Sequence, residues 1–213
     1  MQTWIERHQW QTALTACVVA LVFLGVFIGM AVPVAAAAQP SYCGETLRGQ
    51  DRTSLPGHLI PILRGIVPLR SMDCKAVLSL TITLRARNTA DLASFMQAVN
   101  DPKSPQYHHY LSTQDYADRF GQTPAAIDQL TAYLRSAGFT IQEVTPNRLS
   151  IRVSATVAAI ERAFALHLGL FRFAGQQVHA PLEDPSIPAN YAAAIQSIAG
   201  LSDLPVAFVP RYS

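Results

Sequence analysis

Charge is scarce in this chain. Only 14% of its 213 residues are Asp, Glu, Lys or Arg, and 16 basic residues stand against 14 acidic ones. That balance leaves no electrostatic footprint for nucleic acid and excludes a dedicated nucleic-acid binder. Cysteine is scarce too: three residues cannot build a disulfide-dense mini-scaffold. No Gly-x-Ser-x-Gly elbow occurs, and Gly121, Gly138, Gly169 and Gly175 stand singly, so no phosphate-cradling loop forms. What the chain has in quantity is apolar residues. Half of it is hydrophobic and mean hydropathy is +0.19, which excludes a disordered polymer.

That apolar surplus is uneven. No Asp, Glu, Lys or Arg occurs from Gln9 to Gly44, and Ala13 to Ala38 is almost wholly apolar. Ala36-Ala37-Ala38 places small residues where a signal peptidase reads, and Pro33 breaks a helix just ahead of them. Residues 1–38 are therefore expected to be a cleaved signal peptide, with an uncleaved membrane anchor as the alternative. The run is long enough for the roughly 20 residues that a bilayer core requires. Either way, the chain after Gln39 is expected outside the cytoplasm, secreted or anchored facing outward. A membrane is a partner only if the leader stays attached. Export also gives Cys43 and Cys74 an oxidising setting, in which they are either bridged or two free thiols in a loose segment.

Residues 39–76 mix Pro40, Pro56, Pro61 and Pro68 with Gly44, Gly49, Gly57 and Gly65 and show no sustained period. The composition predicts an extended, solvated arm. Order is expected from Val77, where Leu78, Leu80, Ile82 and Leu84 alternate with polar residues as in a half-buried strand. Thr89 is expected to cap a helix with a Leu92, Phe95, Met96, Val99 stripe, stopped by Asp101-Pro102. Residues 101–123 form an excursion rich in Pro, Tyr and His, with one short helix at Thr113–Phe120. Thr123-Pro124 opens the next helix, with Ile127, Leu130 and Leu134 on its buried face and Gly138 at its end. Strands are predicted at Phe139 to Val144 and Leu149 to Val153, around a Thr145–Arg148 turn. A helix from Thr156 carries Val157, Ile160 and Phe164. Leu168 to Phe173 is expected as the last strand, turning at Ala174-Gly175-Gln176 into a hairpin that reaches His179. With the helical insertion set aside, the order is β-α-β-β-α-β. That is an α+β, ferredoxin-like antiparallel sheet with helices on one face and the other face uncovered.

The side chains offer little chemistry. His108 and His109 are adjacent and so point apart, which chelates one metal poorly. Packing or surface roles among Tyr107 and Tyr110 fit them better. His167 and His179 are isolated in the sequence, and histidine titration is the more specific role open to them. No catalytic residue, cofactor or metal is implied, and the residues alone describe an exported docking module.

Several runs together resemble a known family. Asp101-Pro102-Lys103-Ser104-Pro105-Gln106-Tyr107-His108, completed by Leu111, is similar to its Asp-Pro-x-Ser-Pro-x-Tyr-His run. Phe120-Gly121, Tyr133-Leu134, Asn147 to Val153, the helix with Val157, Glu161, Ala163 and Phe164, Asp184 to Pro188 and Ile198 to Leu201 follow in the family's order. Residues 77–204 thus resemble the pro-domain of the sedolisin, or pro-kumamolisin, serine-carboxyl peptidases. The resemblance implies a folding assistant and inhibitor that covers a peptidase catalytic domain and is removed at acid pH. The Ser-Gly-Thr-Ser motif of that catalytic domain does not occur here, so no peptide hydrolysis by this chain alone is expected. Residues 205–213 are expected to begin a linker lying in the peptidase cleft. Candidate peptidase contacts are Tyr107, His108, Tyr110, Leu204, Pro205, Val206 and Phe208. The alternative is an exported or membrane-tethered module that reuses the fold for another protein partner.

Overall fold

The computed structural model describes Tyr42, Cys43 and residues 51–204. The expected apolar N-terminal helix falls outside the described residues. Among those that are described, no helix is long and apolar enough to cross a membrane.

The fold is mixed α and β, with antiparallel sheets throughout. Its centre is a four-stranded sheet in the order β4-β5-β3-β9. Here β3 is Val77–Leu84, β4 Thr140–Val144, β5 Ser150–Thr156 and β9 Ile195–Ala199. Alternation decides its faces. Leu80, Ile82 and Leu84 of β3 are buried, as are Ile151, Val153 and Ala155 of β5. They share one core with Ile127, Leu130 and Leu134 of helix α3 (Pro124–Ser136) and Val157, Ile160 and Phe164 of helix α4 (Val157–Phe164). Both helices start as the sequence predicts. Thr123 accepts the Ala126 N–H and Thr156 the Ala159 N–H, each satisfying an orphan helix-terminal donor.

Helices α1 (Thr89–Asn100) and α2 (Thr113–Phe120) flank the excursion. The residue ahead of α1 is Asn88, left-handed at φ 50°, rather than a capping Thr89, and its side chain donates to the Arg119 carbonyl. Met96, expected on the buried stripe, is 56% exposed. At the end of α2, Gly121 runs so close to another backbone that a Cβ would lie 2.3 Å from the Asn147 carbonyl oxygen. Two of the sequence runs quoted above therefore meet there, where only glycine fits.

The last strand of the main sheet is not Leu168 to Phe173. That segment, β6 (Leu168–Phe173), has both edges occupied elsewhere, by β2 (Arg70–Ser71) and by β7 (Gln176–Pro181). Ala174 and Gly175, at φ 47° and 82°, make the tight primed turn that folds β7 back on β6. The free edge of β3 takes β9 instead. Its two buried isoleucines hide the strand period, since they stand three residues apart. A register shift opposite Thr83 and Leu84 turns both Ile195 and Ile198 inward, against Leu84 and Ile82.

Residues 51–76 are not an extended arm. β1 (Arg52–Ser54) pairs with β8 (Ser186–Pro188), a 3-10 turn spans Pro61–Leu63, and β2 joins β6. Leu55 enters the main core at 4% exposure, and Leu63 a smaller core with Phe171, Val178 and Ala180. A short helix, α5 (Ala189–Ala192), links β8 to β9.

Candidate partner-binding surfaces

The sheet's second face is built from the residues between the buried ones. In register across the sheet lie Thr81, Arg152, Glu143 and Ala199, with Thr83, Ser150 and Ser197 in the next row. All are exposed or half-exposed. The face is rich in Ser and Thr and carries the Arg152–Glu143 ion pair at 3.2 Å. Such a face loses little on desolvation if a partner supplies hydrogen-bond groups to match.

The excursion offers a second surface. Tyr107 and Tyr110 are 37% and 70% exposed, and the His108 ring stacks on Tyr107 with centroids 3.8 Å apart and lies 6.1 Å from Tyr110. His108 is left-handed, at φ 58°, and its N–H donates to the Val99 carbonyl at 3.1 Å. The three predicted aromatic contacts therefore form one exposed stack at the end of α1. Below it, Arg119 holds Asp91 in a two-pronged pair at 2.6 and 2.7 Å, joining α1 to α2. That hydrogen bond holds the Asp91 carboxyl below its ordinary value. Hydrogen bonds from Gln114 and then Arg148 do the same for Asp118.

The third surface lies where the described chain ends. Leu204 packs, half-buried, beside Leu63, Phe171 and Val178. Pro205, Val206 and Phe208 lie outside the described residues. Nearby, Ile62, Val67 and Leu69 are exposed, next to a shallow groove of about 280 Å³ lined by Leu59, Leu63, Ile66 and Phe171.

Cys43 and Cys74 form a disulfide, with Cα atoms 5.3 Å apart. It brings Tyr42 and Cys43 onto a polar cluster that the sequence did not reveal. Glu161, 1% exposed, accepts the N–H of Cys43 at 2.9 Å and of Leu168 at 2.8 Å. Tyr42 stacks on His167 at 4.2 Å between centroids. Burial first, then the Glu183 and Glu161 charges, pushes the Tyr42 hydroxyl upward. Glu161 was visible only as a helix residue, since its partners lie 118 and 7 positions away. Arg52 was also missed; it donates to the Ser186 hydroxyl and to the Ser186 and Ala163 carbonyls. Among the described residues no group of three or more His, Cys, Asp and Glu is placed to hold a metal ion.

A family model, pro-kumamolisin activation domain, matches residues 65–204. The chain belongs to that family. The match starts inside the supposed arm, in keeping with the packing of β2 on β6. The activation domain is 30% identical to xanthomonalisin of Xanthomonas sp. (strain T-22) over 136 residues, 64% of this chain and 16% of that protein. It is 27% identical to sedolisin of Pseudomonas sp. (strain 101) over 141 residues, 66% of this chain and 24% of that protein. Tripeptidyl-peptidase 1 of Homo sapiens is 39% identical over 96 residues, 45% of this chain and 16% of that protein. The chain thus spans a quarter or less of the length of these relatives.

Proposed function

We propose that this activation domain is the exported pro-domain of a sedolisin-like serine peptidase, acting as inhibitor and folding chaperone of a catalytic domain. The observation that carries the reading is the four-stranded sheet with one face buried under α3 and α4 and the other polar and open. We read its order as the ferredoxin-like arrangement, with β9 as the fourth strand. A docking partner of ordinary size covers about 800 Å² on each side, and a four-stranded face is of that order. In this reading the open face lies on the catalytic domain. Tyr107, His108 and Tyr110 make an outlying contact, and the segment from Leu204 through Pro205, Val206 and Phe208 enters the cleft as a poor substrate. Residues 1–38 direct export. Catalysis belongs to the partner and needs no cofactor from this chain.

Acid is expected to weaken docking, because protonation removes carboxylate charge and adds histidine charge. The test is the inhibition constant of the chain against a mature sedolisin-type peptidase from about pH 3 to pH 7. Inhibition that weakens toward acid supports the reading, and a constant independent of pH contradicts its acid step. Capture of a partner that is no peptidase, with no inhibition at any pH, would favour the alternative of an exported binding module.

A further inference from the structure

The turn at 55–60 is fastened to the sheet by one imidazole. His58 Nδ1 lies 2.9 Å from the Leu55 carbonyl oxygen, and the Ile198 N–H donates to His58 Nε2 at 2.9 Å. A carbonyl oxygen can only accept, so Nδ1 carries the proton. A backbone N–H can only donate, so Nε2 must present its lone pair. Both contacts are met by a single species, the neutral ring protonated at Nδ1. An imidazolium has N–H groups at both positions and would set a donor against the Ile198 donor.

The position matters because β9 is an edge strand, and an edge leaves backbone groups without ladder partners. The His58 ring supplies the acceptor for one of them. Asp184 Oδ1 accepts the N–H of His58 at 2.8 Å and of Leu59 at 3.2 Å, which places a carboxylate beside the turn. β9 carries no titratable side chain. Arg52 is occupied by Ser186 and Ala163, and Glu183 accepts the His167 N–H. Just past β9, His179 Nε2 is 3.5 Å from the Gly200 carbonyl and Nδ1 is 3.1 Å from Asp203.

We propose that His58 is a proton-operated clasp: neutral, it fastens the 55–60 turn to the edge of the main sheet, and protonated, it lets go of Ile198. The device is internal to this chain and stands whether or not the domain inhibits a peptidase.

The test uses the full chain. Nitrogen-15 spectra of the His58 ring at about pH 8 are expected to show the Nδ1–H tautomer. Exchange at the Ile198 amide, corrected for the intrinsic rate, is expected to lose protection by about tenfold or more between about pH 8 and pH 5. The Val153 amide, in the middle of β5, is expected to keep its protection. His58→Gln places a non-titrating acceptor near the same position, and its Ile198 protection is expected to be independent of pH. An Nε2–H tautomer in the wild type overturns the proposal, as does an equal loss of protection in wild type and variant. Should the variant not fold, the wild-type tautomer still decides.

Discussion

Two proline-bearing segments, 51–76 and 101–112, look alike in sequence and behave oppositely in the structure. The first reads as a loose arm, yet Leu55 and Leu63 are buried in it, β1 and β2 pair with distant strands, and Cys74 is bridged. The second carries the more distinctive run, yet all of Gln106 to Tyr110 is exposed and its aromatics stack mainly on one another. The difference lies in partners far along the chain. Arg52 finds Ser186, His58 finds Ile198, and Cys74 finds Cys43, whose N–H in turn donates to Glu161. A segment without a period of its own can still be structural when remote groups complete it. Conversely, a well-marked motif with few remote partners is free to face another molecule.

The largest loss is expected from removing a remote tether of the first segment. Cys43→Ser opens a bridge spanning 31 positions, for which chain entropy predicts a loss of about 3–4 kcal/mol in urea unfolding. Leu55→Ala leaves a cavity in the main core and is expected to cost about 2–3 kcal/mol by the same measurement. In the excursion, Tyr110→Ala is expected to change stability by no more than about 0.5 kcal/mol. A Tyr110→Ala loss as large as that of Leu55→Ala would erase the distinction between the two segments. The smallest effect concerns the base of the excursion. Asp91 is lowered by its bond to Arg119, so that bond contributes above the ordinary carboxylate value of about 3.9 and is lost as pH falls through the lower folded value. Asp91→Asn should therefore lower Tm only slightly at about pH 6, because the pair is surface-exposed, and the difference should shrink as pH falls below the ordinary carboxylate value.

Much of the domain was legible because its signals are local. Thr123-Pro124 and Thr156 cap helices where expected, and the alternation in β3 and β5 sorts the two faces of the sheet. The fourth strand was misassigned because Ile195 and Ile198 stand three residues apart and break the two-residue period of a strand, and only the register shift opposite β3 turns both inward. The excursion's aromatics were found from their residue types, while the clasp at His58 and the buried Glu161 were not. Their roles depend on backbone amides, of Ile198 and Cys43, contributed from 140 and 118 positions away in sequence.

In the proposed reading, the open, Ser- and Thr-rich sheet face docks on a peptidase catalytic domain. The direct measurement is the inhibition constant of a mature sedolisin-type peptidase with the wild-type chain and with Thr81→Glu, which plants a charge mid-face and leaves the buried side untouched. Docking through this face predicts inhibition by the wild type, weakened about tenfold or more by the variant. Equal inhibition by both chains, or none by either, would contradict it.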